Sequence, residues 1–347
     1  KRLNPDWATP ENVRAIIPVI LAGRWDEDYE GDRNIIATLA GEDYESYIRK
    51  LQPWAFAPDA PIVKIGNTWR LTSPMDAWTH TARYLTRDDF NKLAGSTMEI
   101  LSVVNSKYDM TIEEQQRTLW YTNTRKHSTW LREGLIQSLI LISVFGEKLQ
   151  IDLPNQPTVW VDHIFYKLLS STDPKLWKSL DHELPLIAEA SPIAFITSVE
   201  KLLDVEESPI IGLFDEIPGY INSESYHTGM LWALENLAWM PEHLSSATSI
   251  LAGLTAKDPG GQLANRPANS LTEIFKAWHP QTFSSPEART EALKTIVRKY
   301  PDVGHTLLVQ LLPSSHGIAH ETHKMRWRLS ESPRSTGIAY DEIYKAY

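Results

Sequence analysis

Three histidines and three strong bases fall within thirteen positions near the end of the chain, in the run HGIAHETHKMRWR at residues 316–328. His316, His320 and His323 stand at i, i+4 and i+7, a spacing that would align three imidazoles on one face of a helix. Three neutral imidazoles can hold zinc in an open site, and histidine also moves protons near neutrality. Such zinc sites orient their histidines with neighbouring carboxylates, yet the only acid in the run is Glu321, on another face. Lys324, Arg326 and Arg328 follow at once and would raise the cost of a divalent cation nearby. Gly317, with Ser314 and Ser315 behind Pro313, predicts that the run begins as a loop. Trp327, between two arginines, is an anchor of the kind enriched in binding hot spots. The residues predict a surface segment without metal. Arg326 and Arg328 either pair with acids of the protein body or meet an anionic face of a partner.

Other polar clusters carry weaker signals. Counting from Asp26, WDEDYEGDRNIIA (25–37) has acids at the first, third, fifth and seventh positions and glycine at the sixth, as in a calcium loop. The twelfth position is Ala37, where that loop needs a bidentate glutamate, so the reading is an acidic surface loop. The helix HTGMLWALENLAWMPEH carries Trp232, Glu235 and Trp239 at i, i+3 and i+7, which reads as core packing with Glu235 paired to a base or a backbone donor. The segment 258–282, DPGGQLANRPANSLTEIFKAWHPQT, is a long turn stiffened by prolines. It leads into a helix expected to be capped by Asn269 or Ser270. It is either a fixed loop whose Asn265 and Arg266 satisfy backbone carbonyls, or a recognition ridge. No HExxH, GxSxG, GxxxxGK[ST] or strand-borne GxGxxG occurs, which lowers the case for metallopeptidase, serine hydrolase, P-loop or dinucleotide chemistry.

Composition narrows the classes further. Of 347 residues, 42% are hydrophobic and 10% aromatic, and thirteen tryptophans run from Trp7 to Trp327. That suits a folded chain with a large core and two or so structural units. The net charge of −10 disfavours a general nucleic-acid binder, which needs a positive face. Cysteine is absent, which removes disulfides, thiolate nucleophiles and cysteine-ligated metals. No apolar run approaches the length of a membrane span, and LIQSLILISVF (135–145) is interrupted by Gln137, Ser138 and Ser143. A cytoplasmic protein is expected. The opening KRLNPDW has no methionine, which is read as either processing or, by preference, a piece cut from something longer.

The elements follow from periodicity. TPENVRAIIPVILAG (9–23) predicts a helix with Thr9 as cap, Pro10 at its first position and Gly23 as its stop. Two short helices follow. Val63 and Ile65, a Gly66-Asn67 turn, then Trp69 and Leu71 predict a β-hairpin over about 61–72. Ser73-Pro74 opens the next helix. Short helices, a two-stranded wing and a helix predict a winged-helix-like module over 1–110. From residue 86 the apolar spacing stays near 3.6. About eleven amphipathic helices with short connections predict an α-solenoid of HEAT or TPR type, with degenerate repeats, over 111–347. The fold class expected is all-α.

Three blocks together carry a resemblance: LAGRWDEDYEGDRNIIATLAG with PIVKIGNTWRLTSPMDAW, STWLREGLIQSLILIS with LPLIAEASPIAFITSVEKLL, and LWALENLAWMPEHLSSATSILAGLTAKDPGGQLANRPANSLTEIFKAWHPQT. The arrangement resembles the region downstream of the ATPase module in large bacterial STAND-type NTPases, including antiphage defence proteins. The resemblance is one of block pattern and covers most of the chain. It implies a winged-helix region and a helical-repeat sensor for a foreign protein, with NTPase and effector modules elsewhere in the parent. No family catalytic residue maps onto this chain. The expectation is a non-enzymatic protein-recognition or regulatory segment without cofactor or metal. Its partners would be a protein, such as a phage protein, or other domains of the parent; neither a membrane nor, in the main, nucleic acid is expected. Candidate partner-binding residues are Arg266, Asn269, His279, Gln281, His316, His323, Arg326, Trp327 and Arg328. Two rivals stand beside this reading: a helical-scaffold enzyme using His279, His316 and His323, and a winged-helix nucleic-acid binder using the wing and the bases of 324–328.

Overall fold

The computed structural model describes residues 5–111, 114, 125–216, 225–313 and 318–328. Helix dominates, with fifteen α-helices and one three-stranded antiparallel sheet among the described residues. The chain forms two compact units, 1–168 and 169–347.

The first unit is built around α1 (Val13–Ala22). Eight of its ten residues are buried. A helix apolar on every side must be surrounded, and α1 touches α2 (Glu30–Ala40), α3 (Tyr44–Ala55), α4 (Pro74–Thr81), α5 (Arg87–Leu101) and α6 (Thr129–Phe145). Gly23 ends α1 at φ 69°, the left-handed stop that glycine adopts without steric cost. The expected hairpin is present as β2 (Ile62–Ile65) and β3 (Thr68–Leu71), with Gly66 at φ 59° in its turn.

A third strand corrects the reading of 25–37 as an acidic surface loop. β1 (Arg24–Asp26) pairs with β3, giving the order β1-β3-β2. Trp25 lies opposite Trp69, and their rings stack at 5.7 Å and 8°. One tryptophan among charges gives no legible alternation; the strand exists because β3 supplies its partner. Asp32, from the same acidic run, is fully buried. It accepts hydrogen bonds from the amides of Asp26 and Ser128 and from the Ser128 hydroxyl. Burial pushes its carboxyl up, against the pull of those donors. This carboxylate ties β1 and α2 to the start of α6, where Ser128 caps the helix by accepting from the Leu131 amide. Within the run of helices expected from residue 86 onward, positions 112–113 and 115–124 lie outside the described residues. α7 (Pro157–Leu169) closes the unit, with Trp160 edge-on to Phe90 of α5.

The second unit holds α8 (Pro174–Ser179), α9 (Leu184–Ala190), α10 (Pro192–Leu203), α11 (Thr228–Ala238), α12 (Leu244–Lys257), α13 (Pro267–Phe275), α14 (Pro286–Lys299) and α15 (Pro301–Gln310). Five of these open on proline at the first position, where the missing N–H would have no partner anyway. Alternate helices touch: α9 with α11, α11 with α13 and α13 with α15 on one side, α10 with α12 and α12 with α14 on the other. α13 begins at Pro267, with Arg266 as its N-cap, so Asn269 and Ser270, expected as caps, lie inside it. Among the described residues no helix is long and apolar enough to cross a membrane.

Candidate functional site

The described part of the HGIAHETHKMRWR run, residues 318–328, forms no α-helix. Residues 318–325 carry no regular secondary structure, and the described part of the run lies across α13, α11 and α9 in turn. His316 lies outside the described residues.

Residues 318–328 form a strap over these three helices, held largely through its backbone. The Glu273 carboxylate on α13 accepts from the His320 amide at 2.9 Å. Glu235 on α11 accepts from the His323 amide at 2.8 Å. Glu189 on α9 accepts from three successive amides, those of Arg326, Trp327 and Arg328. Between them, the Thr322 amide donates to the Gln281 side chain at 3.3 Å. A bonded position thus recurs about every three residues, roughly 10 Å of extended chain. Packed helices stand 8–10 Å apart as a rule, so one acceptor per helix and one bonded amide per three residues keep step.

The carboxylates are placed by helices that have no other use for a charge. Glu189 sits in LPLIAEA, Glu235 in TGMLWALENLA and Glu273 in PANSLTEIF. Glu189 is 1% and Glu235 7% exposed. A buried carboxylate needs several donors. Glu235 takes a second one from the Ser270 hydroxyl, and burial still pushes its carboxyl up. Glu273 also pairs with Lys276, which donates in turn to the carbonyl of Ile318.

Side chains add specificity at five places. Thr322 is buried, and its hydroxyl accepts from the Trp239 indole at 3.0 Å. His323 lies flat on Trp232, ring centroids 5.0 Å apart. Its Nδ1 bonds Asn236 Oδ1 at 2.8 Å. The Asn236 amide is already directed at the Pro185 carbonyl, so the oxygen accepts and Nδ1 carries the proton. Partial burial holds this imidazole below its ordinary value, against the pull of Glu189. Met325 is buried, and Lys324 stands 4.4 Å over the Trp239 ring. The Arg328 guanidinium donates to the carbonyls of Glu189 and Ala190 at the end of α9, where the helix dipole favours a cation.

The other candidate residues divide. Arg266 is held by Glu216, Asp258 and the Leu263 carbonyl, and Glu216 also accepts from the amides of Gln262 and Leu263; this fixes the 258–266 loop. Asn269 donates to the Ala264 carbonyl and faces a cleft of about 910 Å³ that runs beside the strap, past Trp232, Glu273 and His320. Gln281 is buried under the strap, whereas His279 is exposed beside Trp278. Arg326 lies over the Trp327 ring. Among the described residues no group of three His, Asp or Glu side chains is disposed to hold a metal ion. Sequence reasoning missed Glu189, Glu273, Thr322 and Met325. A signal was present for the acids: lone carboxylates in apolar helices, recurring at roughly the 40-residue spacing of two-helix repeats.

Compared with known proteins, the chain matches no family model and no curated protein.

Proposed function

We propose that this chain is a non-enzymatic protein-recognition and regulatory segment of a larger multidomain protein, the role implied by its resemblance to the region downstream of the ATPase module in bacterial STAND-type NTPases. One observation carries the reading: an extended backbone is held across α13, α11 and α9 by one acceptor per helix. Such a face recognises polypeptide as polypeptide, and the side-chain contacts at Trp232 and Trp239 select among sequences. The contacts between alternate helices in the second unit support an α-solenoid, since stacked two-helix repeats meet their neighbours in this way. The order helix–strand–helix–helix–strand–strand in the first unit, with sheet order β1-β3-β2, supports the winged-helix reading.

Electrostatics favour a protein partner over nucleic acid. Of the two wing cations, Lys64 is paired with Glu27 while Arg70 is exposed, and Asn67 bonds Asp28. Glu27 and Asp28 thus put negative charge beside the wing, which disfavours a phosphate backbone there. A library of short random peptides panned against the full chain tests the reading. Enrichment that is lost in Trp232→Ala is expected; no enrichment with any form of the chain would overturn it.

A further inference from the structure

We infer that the face formed by α9, α11 and α13 is a receptor for an extended basic peptide, and that residues 318–328 occupy it as a built-in competitor. The inference rests on the recognition reading above and names its ligand and its regulation. Three observations bear on it.

The first concerns how the strap is held. Ile318, His320, Glu321, His323, Lys324 and Arg326 are all exposed; of the described strap residues only Thr322 and Met325 are buried. Its apolar hold on the body is confined to Met325, the half-buried Trp327 and the His323 ring on Trp232. Six of its hydrogen bonds come from backbone amides, which any non-proline residue can supply.

The second concerns the receptor. Glu189 and Glu235 are buried carboxylates whose donors include the strap's own amides. Emptying the face would exchange those bonds for bonds to water, since the strap is part of what covers the two carboxylates. Exchange for another extended chain restores every bond. The strap can therefore open at less cost than α11 unfolds, and a competing extended chain replaces it more readily than water does.

The third concerns register. The face asks for a hydroxyl where Thr322 sits, a ring on Trp232, a cation over Trp239, an apolar side chain in the Met325 site and, three residues after that, an arginine at the end of α9. It also excludes proline at the position of His323, whose amide must reach Glu235. A ligand of this pattern must overcome a tethered competitor present at an effective concentration on the order of millimolar.

The test uses the full chain and a fluorescent peptide of residues 318–328. Thr322→Asp with Met325→Asp places two carboxylates in the strap's buried positions. This variant is expected to bind the peptide at least about tenfold more tightly than the unmodified chain, because the tethered competitor is removed. The same peptide with proline in place of His323 should not bind. Equal binding by the two chains, or equal binding of the two peptides, overturns the inference. If the double variant does not fold, hydrogen exchange on the unmodified chain decides. The amides of His323 and Arg326–Arg328 should exchange well before those of α11; protection equal to α11 overturns the inference. Library peptides that bind at Trp232 without any gain from strap release would sink this inference and leave the recognition reading standing. Failure of every peptide, library and strap alike, would sink that reading as well.

Discussion

Glu189 bonds the strap through three successive amides, and its replacement isolates that interaction. Glu189→Gln keeps the shape but supplies one accepting oxygen and turns an N–H group toward the amides. It is expected to lower stability by about 1–3 kcal/mol and to speed exchange at 326–328 before other amides respond. Denaturant melts with hydrogen exchange check this; unchanged values at 326–328 would show that the carboxylate is not their anchor. His227 carries a pH dependence. It is fully buried, stacked on Phe214 at 4.6 Å, with Nε2 donating to the Asn265 carbonyl and Nδ1 accepting from Ser225. Burial is the main cause that holds its imidazole below the ordinary value, with Arg266 adding to it against the pull of the Asn265 carbonyl. The neutral ring is thus preferred in the fold. Its contribution to stability is complete above the ordinary histidine pKa and is lost as the pH falls through it toward the lowered folded value. The melting temperature should therefore fall between pH 7 and pH 5, and His227→Gln should flatten that slope; parallel pH profiles would refute the assignment.

At the level of elements, close approach decides what can be substituted. A Cβ on Gly134 of α6 would stand 2.2 Å from the Ala22 carbonyl oxygen and 2.9 Å from the Arg24 amide nitrogen, both backbone atoms that cannot swing aside. Gly134→Ala must push α6 off the end of α1 and off β1, and a loss of about 1–3 kcal/mol or more is expected for such overpacking. Gly95, on an exposed turn of α5, meets nothing within 4 Å. Gly95→Ala should instead stabilise by about 0.5–1 kcal/mol, because alanine gives up less backbone freedom in a helix. Thermal or urea unfolding of the two variants should show opposite signs; equal signs would contradict the packing of α6.

Across the whole molecule, each compact unit has its own buried core. α1, Trp25, Trp69 and α6 belong to residues 1–168, and α9 to α15 belong to 169–347. Gly134→Ala should accordingly raise exchange in α1 and α6 while α11 and α12 keep their protection. Glu189→Gln should do the reverse, if local stability follows local packing. Hydrogen exchange resolved by peptide reads both at once, and a uniform change over the chain would be the contrary result.

Most of the helices, the hairpin and its glycine turn were legible in the sequence, because apolar period, proline at helix starts and glycine at stops are local properties. β1 was not, since one tryptophan among charges becomes a strand only when β3 lies beside it. Asp32 read as surface acid because nothing local announces Ser128, 96 positions away, as its partner. The terminal run drew notice for its imidazoles and guanidinium groups. Yet the face it occupies is made by carboxylates from three distant helices acting on its backbone, which has no letter in the sequence. Periodicity could name the helices; only tertiary packing could bring Glu189, Glu235 and Glu273 into line at the spacing of an extended chain.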